Sequence, residues 1–104
     1  MTHEFFPQLD ALLKNAYAPY SNFPVAAIIK GASGEIYSGV NVENAAYPQG
    51  WCAEASAIAA MVSSGETEIF ELAVMAKSDQ ICTPCGGCRQ KIREFASEDL
   101  KLFC

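Results

Sequence analysis

The sequence predicts an α/β protein, a sheet covered by helices whose later strands run parallel. Two kinds of pattern predict it. Stretches with apolar residues at helical spacing alternate along the chain with short β-type runs. The resulting order, α-β-β-α-β-α-β, separates each later strand from the one before it by a helix. Such a connection returns the chain to the same end of the sheet, which makes those strands parallel.

Each element has its own signal. Phe5, Phe6, Leu9, Leu12, Leu13 and Ala16 recur at helical spacing, so residues 2–17 read as an amphipathic helix, ended by Pro19 and Tyr20-Ser21-Asn22. Residues 25–30 form a short apolar run, Gly31-Ala32-Ser33-Gly34 is turn chemistry, and residues 35–42 alternate, which together predict a β-hairpin. Residues 43–50 read as a loop. Residues 52–63 are rich in alanine, with Ala53, Ala57, Ile58 and Met61 at core spacing, and Gly65 stops this second helix. Residues 69–76 read as a buried strand, residues 85–96 as a third helix and residues 100–103 as a last strand. No repeat, low-complexity segment or linker interrupts the 104 residues, which are expected to form one domain over 1–104.

Composition narrows the function classes. The chain is 51% hydrophobic and 18% charged, which argues against disorder. So apolar a composition in so short a domain suggests a subunit interface as well as a core, hence a homo-oligomer. The formal net charge of −5 and scattered basic residues disfavour a polynucleotide partner, which is normally met by a basic stripe. No run of 18 apolar residues occurs, and Met1-Thr2-His3-Glu4 does not open a secretory leader, so no membrane association and a cytoplasmic location are expected.

The chemistry is concentrated in Cys52-Ala53-Glu54 and Pro84-Cys85-Gly86-Gly87-Cys88. Three thiolates suggest a zinc site whose fourth tetrahedral position stays open for water, with a carboxylate nearby to move protons. Both segments fall at predicted helix N-termini, where orphan N–H groups and the positive dipole end favour thiolates. Alternatives stand beside this reading. An isolated Cys52 would be a small buried hydrophobe, and Cys85-x-x-Cys88 could be a redox pair or half of a zinc knuckle. Cys82 could join the others in a closed four-thiolate structural site, while Cys104 is the spare among five cysteines. A closed site has no use for Glu54. Glu54, in turn, could merely complement a helix dipole.

The motifs extend well beyond the cysteines. Tyr17-Ala18-Pro19-Tyr20-Ser21-Asn22-Phe23-Pro24-Val25-Ala26 is followed by Gly39-Val40-Asn41-Val42-Glu43-Asn44-Ala45-Ala46-Tyr47-Pro48. Then come Cys52-Ala53-Glu54-Ala55-Ser56-Ala57-Ile58 and Thr83-Pro84-Cys85-Gly86-Gly87-Cys88-Arg89-Gln90. In this order and over nearly its whole length, the chain resembles the small, homotetrameric, zinc-dependent cytidine deaminases.

The resemblance implies a three-layer α/β/α fold with a mixed sheet. It implies one Zn2+ per chain, held by Cys52, Cys85 and Cys88. Glu54 would take a proton from the zinc-bound water, protonate N3 of the cytosine ring as hydroxide attacks C4, and deliver a proton to the departing ammonia. Asn41 and Glu43 match residues that hydrogen-bond the ribose, and Phe23 matches one that packs on the pyrimidine. Backbone groups of Ala53 and Pro84 would read the base, and Ala45 and Tyr47 match positions that reach into a neighbouring subunit's site. Without the family pattern, Asn41 would be a turn residue, Glu43 a solvated one and Phe23 a core aromatic.

The chain departs from that pattern in three places. Ala55 stands where many relatives carry an arginine, so Arg89 is expected to take up charge balance at the thiolates. Phe23-Pro24-Val25-Ala26-Ala27 replaces the usual Phe-x-Val-Gly-Ala. The family pattern continues through a further strand and C-terminal helix after the position of Cys104, so the expected fold lacks them. The expected activity is deamination of cytidine and deoxycytidine in pyrimidine salvage. The alternatives are a nucleoside-like antibiotic or modified cytosine as substrate, or a non-catalytic zinc-stabilised interaction module.

Overall fold

The computed structural model describes residues 5–46, 50–76 and 86–103. Four strands form one sheet: β1 (Val25–Gly31), β2 (Ile36–Val40), β3 (Ile69–Ala76) and β4 (Ala96–Phe103). Three helices accompany them: α1 (Phe6–Leu12), α2 (Ala53–Ser63) and α3 (Gly86–Phe95). The order along the chain is the one the sequence predicts. Across the sheet it is β2-β1-β3-β4, with β1 antiparallel to both neighbours and β3 parallel to β4. Hence β2, β3 and β4 all point one way, and α2 and α3 are their crossovers.

Alternation along the strands sorts the core into two layers. Ala27 and Ile29 of β1 and Leu72 and Val74 of β3 face one side, packing with Ala53, Ala57, Ile58 and Met61 of α2 and Ile92 of α3. Ala26, Ile28 and Ala73 face the other side and pack with Phe5 and with Leu9 of α1. The sheet therefore lies between α1 and the α2–α3 pair, the three-layer arrangement. Leu9, Ile28, Ile29, Met61, Ile69, Leu72 and Val74 are fully buried, each burial contributing about 1.5–3 kcal/mol from apolar area.

Two glycines shape α2. Gly65 (φ 100°) adopts the left-handed conformation just past the helix, where its N–H donates to Val62 O at 3.0 Å and the Glu66 N–H donates to Met61 O at 3.1 Å. This is a Schellman stop. Gly39 of β2 lies directly under the first turns of α2. A Cβ there would stand 2.4 Å from Ala57 N and 2.7 Å from Ala53 O. The absence of a side chain lets helix and strand touch backbone to backbone.

Boundaries differ from the sequence reading at three points. The first helix is α-helical only to Leu12 and continues as a 3-10 turn over Leu13–Asn15. Ala16 is extended and Tyr17 donates its N–H to Asn41 O at 2.9 Å, so a long-range bridge ends the helix before Pro19 does. β2 ends at Val40 because Val42 pairs with Trp51 and Tyr17 instead of β1. β4 starts at Ala96, paired with Ile69, and a register irregularity separates that pair from Glu71↔Lys101. The polar stretch at 97–99 conceals this early start.

Candidate metal and nucleoside site

In an α/β sheet ligands gather beyond the carboxyl ends of parallel strands. Here Ala26 pairs with Val40 on one side and with Met75 on the other, so β2 and β3 end at the same level. Both crossover helices start from that end. Cys52 is the N-cap residue of α2, with extended backbone (φ −73°, ψ 154°) and a carbonyl that accepts the Ser56 N–H at 3.0 Å. It is exposed, at the positive end of an eleven-residue helix. Cys88 and Arg89 belong by their backbone to the first turn of α3, the crossover that follows β3.

Glu54 sits one residue inside α2 and is 5% exposed, the sole buried charged residue among those described. Burial pushes its carboxyl above the usual 4.5, with its own backbone N–H acting the other way. A carboxylate so placed takes and returns a proton more readily near neutrality than a solvated one. Ala53 beside it is buried against the sheet. Ala55, next in sequence, is half-buried.

The approach to Cys52 is fastened to the strand ends. Val42 N–H donates to Trp51 O at 2.8 Å and Trp51 N–H donates to Val42 O at 2.7 Å. Asn41 and Glu43, flanking Val42, both turn to the 17–25 segment. Asn41 Oδ1 accepts the Val25 N–H at 2.9 Å and its Nδ2 donates to Phe23 O at 3.0 Å. Glu43 Oε1 accepts the N–H groups of Tyr20 at 3.0 Å and Ser21 at 3.1 Å, and its Oε2 accepts the Ser21 hydroxyl. That hydroxyl, opposed by partial desolvation and assisted by the two N–H groups, holds the Glu43 carboxyl below its usual 4.5. Phe23 is 39% exposed, a large ring that the core does not absorb.

Among the sequence-predicted site residues, Phe23, Asn41, Glu43, Cys52, Ala53 and Glu54 thus share the carboxyl end of β2 and the loops against it. Ala45 is exposed in the following bend, where Asn44 Oδ1 accepts the Ala46 N–H at 2.9 Å. Tyr47, Cys82, Pro84, Cys85 and Cys104 lie outside the described residues. Among the described residues no three metal-ligating side chains gather. The donor types nonetheless suit zinc: Cys52 caps α2 and Cys88 belongs to the first turn of α3, the helices that follow β2 and β3, with a buried carboxylate in the turn after the first cysteine. The sequence reading assigned no role to Ser21. Its link to Phe23, two residues on, is a local Ser turn and was legible; its link to Glu43 was not.

A sheet layered between helices, with a thiol and a buried carboxylate at the start of one crossover helix and a second thiol in the first turn of the next, fits the zinc-dependent hydrolases. The comparisons make the class specific. Residues 1–104 match the family described as "Cytidine and deoxycytidylate deaminase zinc-binding region", and the chain belongs to that family, whose cofactor is Zn2+. It is 44% identical over 98 residues to a cytidine deaminase of Mycoplasma genitalium, covering 93% of this chain and 75% of that one. It is 42% identical over 90 residues to one of Sporosarcina psychrophila, covering 86% and 66%. Among solved structures, the cytidine deaminase of Mycobacterium leprae superposes with a TM-score of 0.84 at 38% identity, covering 92% of this chain and 81% of that chain. That of Burkholderia pseudomallei gives 0.83 at 37%, covering 91% and 77%.

Proposed function

We propose that this chain hydrolyses the C4 amino group of cytidine and deoxycytidine, releasing ammonia and leaving uridine or deoxyuridine. The observation that carries the reading is Glu54, a buried carboxylate in the first turn of the helix that Cys52 caps, at the sheet end where α3 also starts. Cys52, Cys85 and Cys88 would hold the metal, and Arg89 would offset the charge of their thiolates. The chemistry that zinc supplies when bound is a water acidified to a pKa of about 7. Glu54 would take one proton from the attacking water and place it on N3 of the ring, then take the second from the new C4 hydroxyl and place it on the departing amine, leaving the C4 carbonyl. Its burial favours the protonated form that the second half of the sequence needs.

Substrate recognition falls to the flanking loops. Phe23 supplies a face for the pyrimidine, Asn41 and Glu43 meet the ribose, and the backbones of Ala53 and Pro84 read the base edge. Residues 1–104 act as one domain. The net charge of −5 favours a free nucleoside over a polynucleotide. Ala45 and Tyr47 complete a neighbouring copy's site in a homotetramer. None of the described helices is long and apolar enough to cross a membrane. On separate grounds, the thiols that the zinc reading requires to be reduced, we place the enzyme in the cytoplasm.

The test is conversion of cytidine to uridine by the purified zinc-loaded chain, with Glu54→Gln alongside. Glu54→Gln keeps one zinc per chain and loses at least about 10²–10⁴-fold in kcat, the share carried by positioned proton transfer. Normal turnover by that variant would refute the proton-transfer role. A zinc-loaded parent chain without turnover would make it a zinc-stabilised interaction module.

A further inference from the structure

Phe23 is gripped from both sides. Its carbonyl accepts from Asn41 Nδ2 at 3.0 Å, and its N–H donates to Ser21 Oγ at 3.1 Å. The same Ser21 hydroxyl donates to Glu43 Oε2, while Glu43 Oε1 accepts the Ser21 and Tyr20 N–H groups. Ser21 therefore stands between the two functions of the pocket, joining the carboxylate that meets the sugar to the backbone that carries the ring. An adjacent Asn22 in the left-handed region (φ 55°) turns the chain so that one hydroxyl reaches both.

Counting donors shows what this leaves for a ligand. A carboxylate offers about four acceptor positions. Among the described residues three donors occupy them, two on Oε1 and one on Oε2. The remaining position is on Oε2, and its direction is set by the Ser21 hydroxyl on the same oxygen. We infer that Ser21 is a positioning residue for nucleoside binding, holding Glu43 so that Oε2 presents one acceptor to a sugar hydroxyl while fixing the Phe23 backbone. The inference rests on the nucleoside-pocket reading above and deepens it. The bond from the hydroxyl to the carboxylate is charge-assisted, so its loss leaves Glu43 held through Oε1 alone and the Phe23 N–H without its side-chain acceptor.

The experiment measures uridine affinity by calorimetry, and KM and kcat for cytidine, in the zinc-loaded parent, Ser21→Ala, Ser21→Thr, Glu43→Ala and the Ser21→Ala/Glu43→Ala double variant. Ser21→Ala is expected to weaken uridine binding and raise KM about tenfold, with kcat within about threefold of the parent, as for loss of uniform binding. Ser21→Thr, which keeps the hydroxyl, restores binding to within about threefold. In the Glu43→Ala background Ser21→Ala costs less affinity than it does in the parent, because only its bond to the Phe23 N–H is left to lose. A full tenfold effect in that background, or unchanged affinity in Ser21→Ala, overturns the inference. So does a lowered unfolding temperature with unchanged affinity, which would make Ser21 a turn residue only. A parent that binds uridine without deaminating cytidine refutes the proposed reaction and leaves the affinity series to decide the role of Ser21. A parent that does neither overturns both.

Discussion

Gly39 is the point at which a single carbon atom should move the whole site. A Cβ placed there stands 2.4 Å from Ala57 N, 2.7 Å from Ala53 O and 2.7 Å from the Ser56 Cβ. None of these atoms is the free end of a flexible side chain, so Gly39→Ala is relieved only by lifting the first turns of α2. Restoring the shortest contact to ordinary van der Waals distance takes a displacement of about 1 Å. Overpacking of this kind costs about 1–3 kcal/mol, which in a domain of this size lowers the unfolding temperature by roughly 5–20 °C. The lifted turn carries Cys52 and Glu54, and a misplacement of about 1 Å at reacting groups costs on the order of 10²-fold in rate. Thermal unfolding and cytidine turnover at 25 °C, with zinc content measured on the same samples, give the readout. A Gly39→Ala variant with the parent's unfolding temperature and kcat would refute the close seating of α2 on β2.

Two further outcomes are expected. Glu66 Oε1 accepts the Ser33 N–H at 2.9 Å and the Ser33 hydroxyl at 2.6 Å across the β1–β2 turn, which holds its carboxyl below the usual 4.5. A group with a lowered folded value stabilises the fold above the unfolded value and loses that contribution as pH falls through the folded one. Glu66→Gln should thus be less stable than the parent at pH 7, with the gap closing below about pH 4.5. A gap that persists to pH 3 in thermal melts would remove the carboxylate from the account. Cys82→Ser should leave one zinc per chain by metal analysis; loss of zinc would point instead to a four-thiolate site.

Much of this architecture could be read from local pattern. The spacing of Ala53, Ala57, Ile58 and Met61 identifies the buried face of α2, and Gly65 its stop. The apolar runs over β1 and β3 mark two strands that lie in the middle of the sheet, the alternation over 35–42 marks β2, and both crossovers follow from element order. What local pattern missed was decided by partners distant in sequence. Tyr17 leaves the helix because Asn41 O takes its N–H, and β2 ends early because Val42 is claimed by Trp51. Cys52 and Glu54 stood out in the sequence because those residue types at that spacing have few uses, and the fold puts them at the start of one helix. Asn41 and Glu43 were read as ligand contacts, yet much of their hydrogen-bonding capacity organises the loop that presents Phe23. That use depends on Ser21, 22 residues before Glu43, and no short-range signal joins them.

The reciprocal backbone pair between Val42 and Trp51 has a thermodynamic consequence for metal capture. It closes the connection from β2 to α2 immediately before Cys52, so the entropy of bringing that thiol to the sheet edge is spent in folding and not on binding. With Cys52 as a ligand, as proposed, metal arriving there would have little of the Trp51–Cys52 approach left to order. Its binding free energy is then available to be felt as stability, rising with the logarithm of free zinc over its dissociation constant. On the proposed ligand set, a bridge of two amide hydrogen bonds one residue before the thiol would thereby set part of the affinity for the ion.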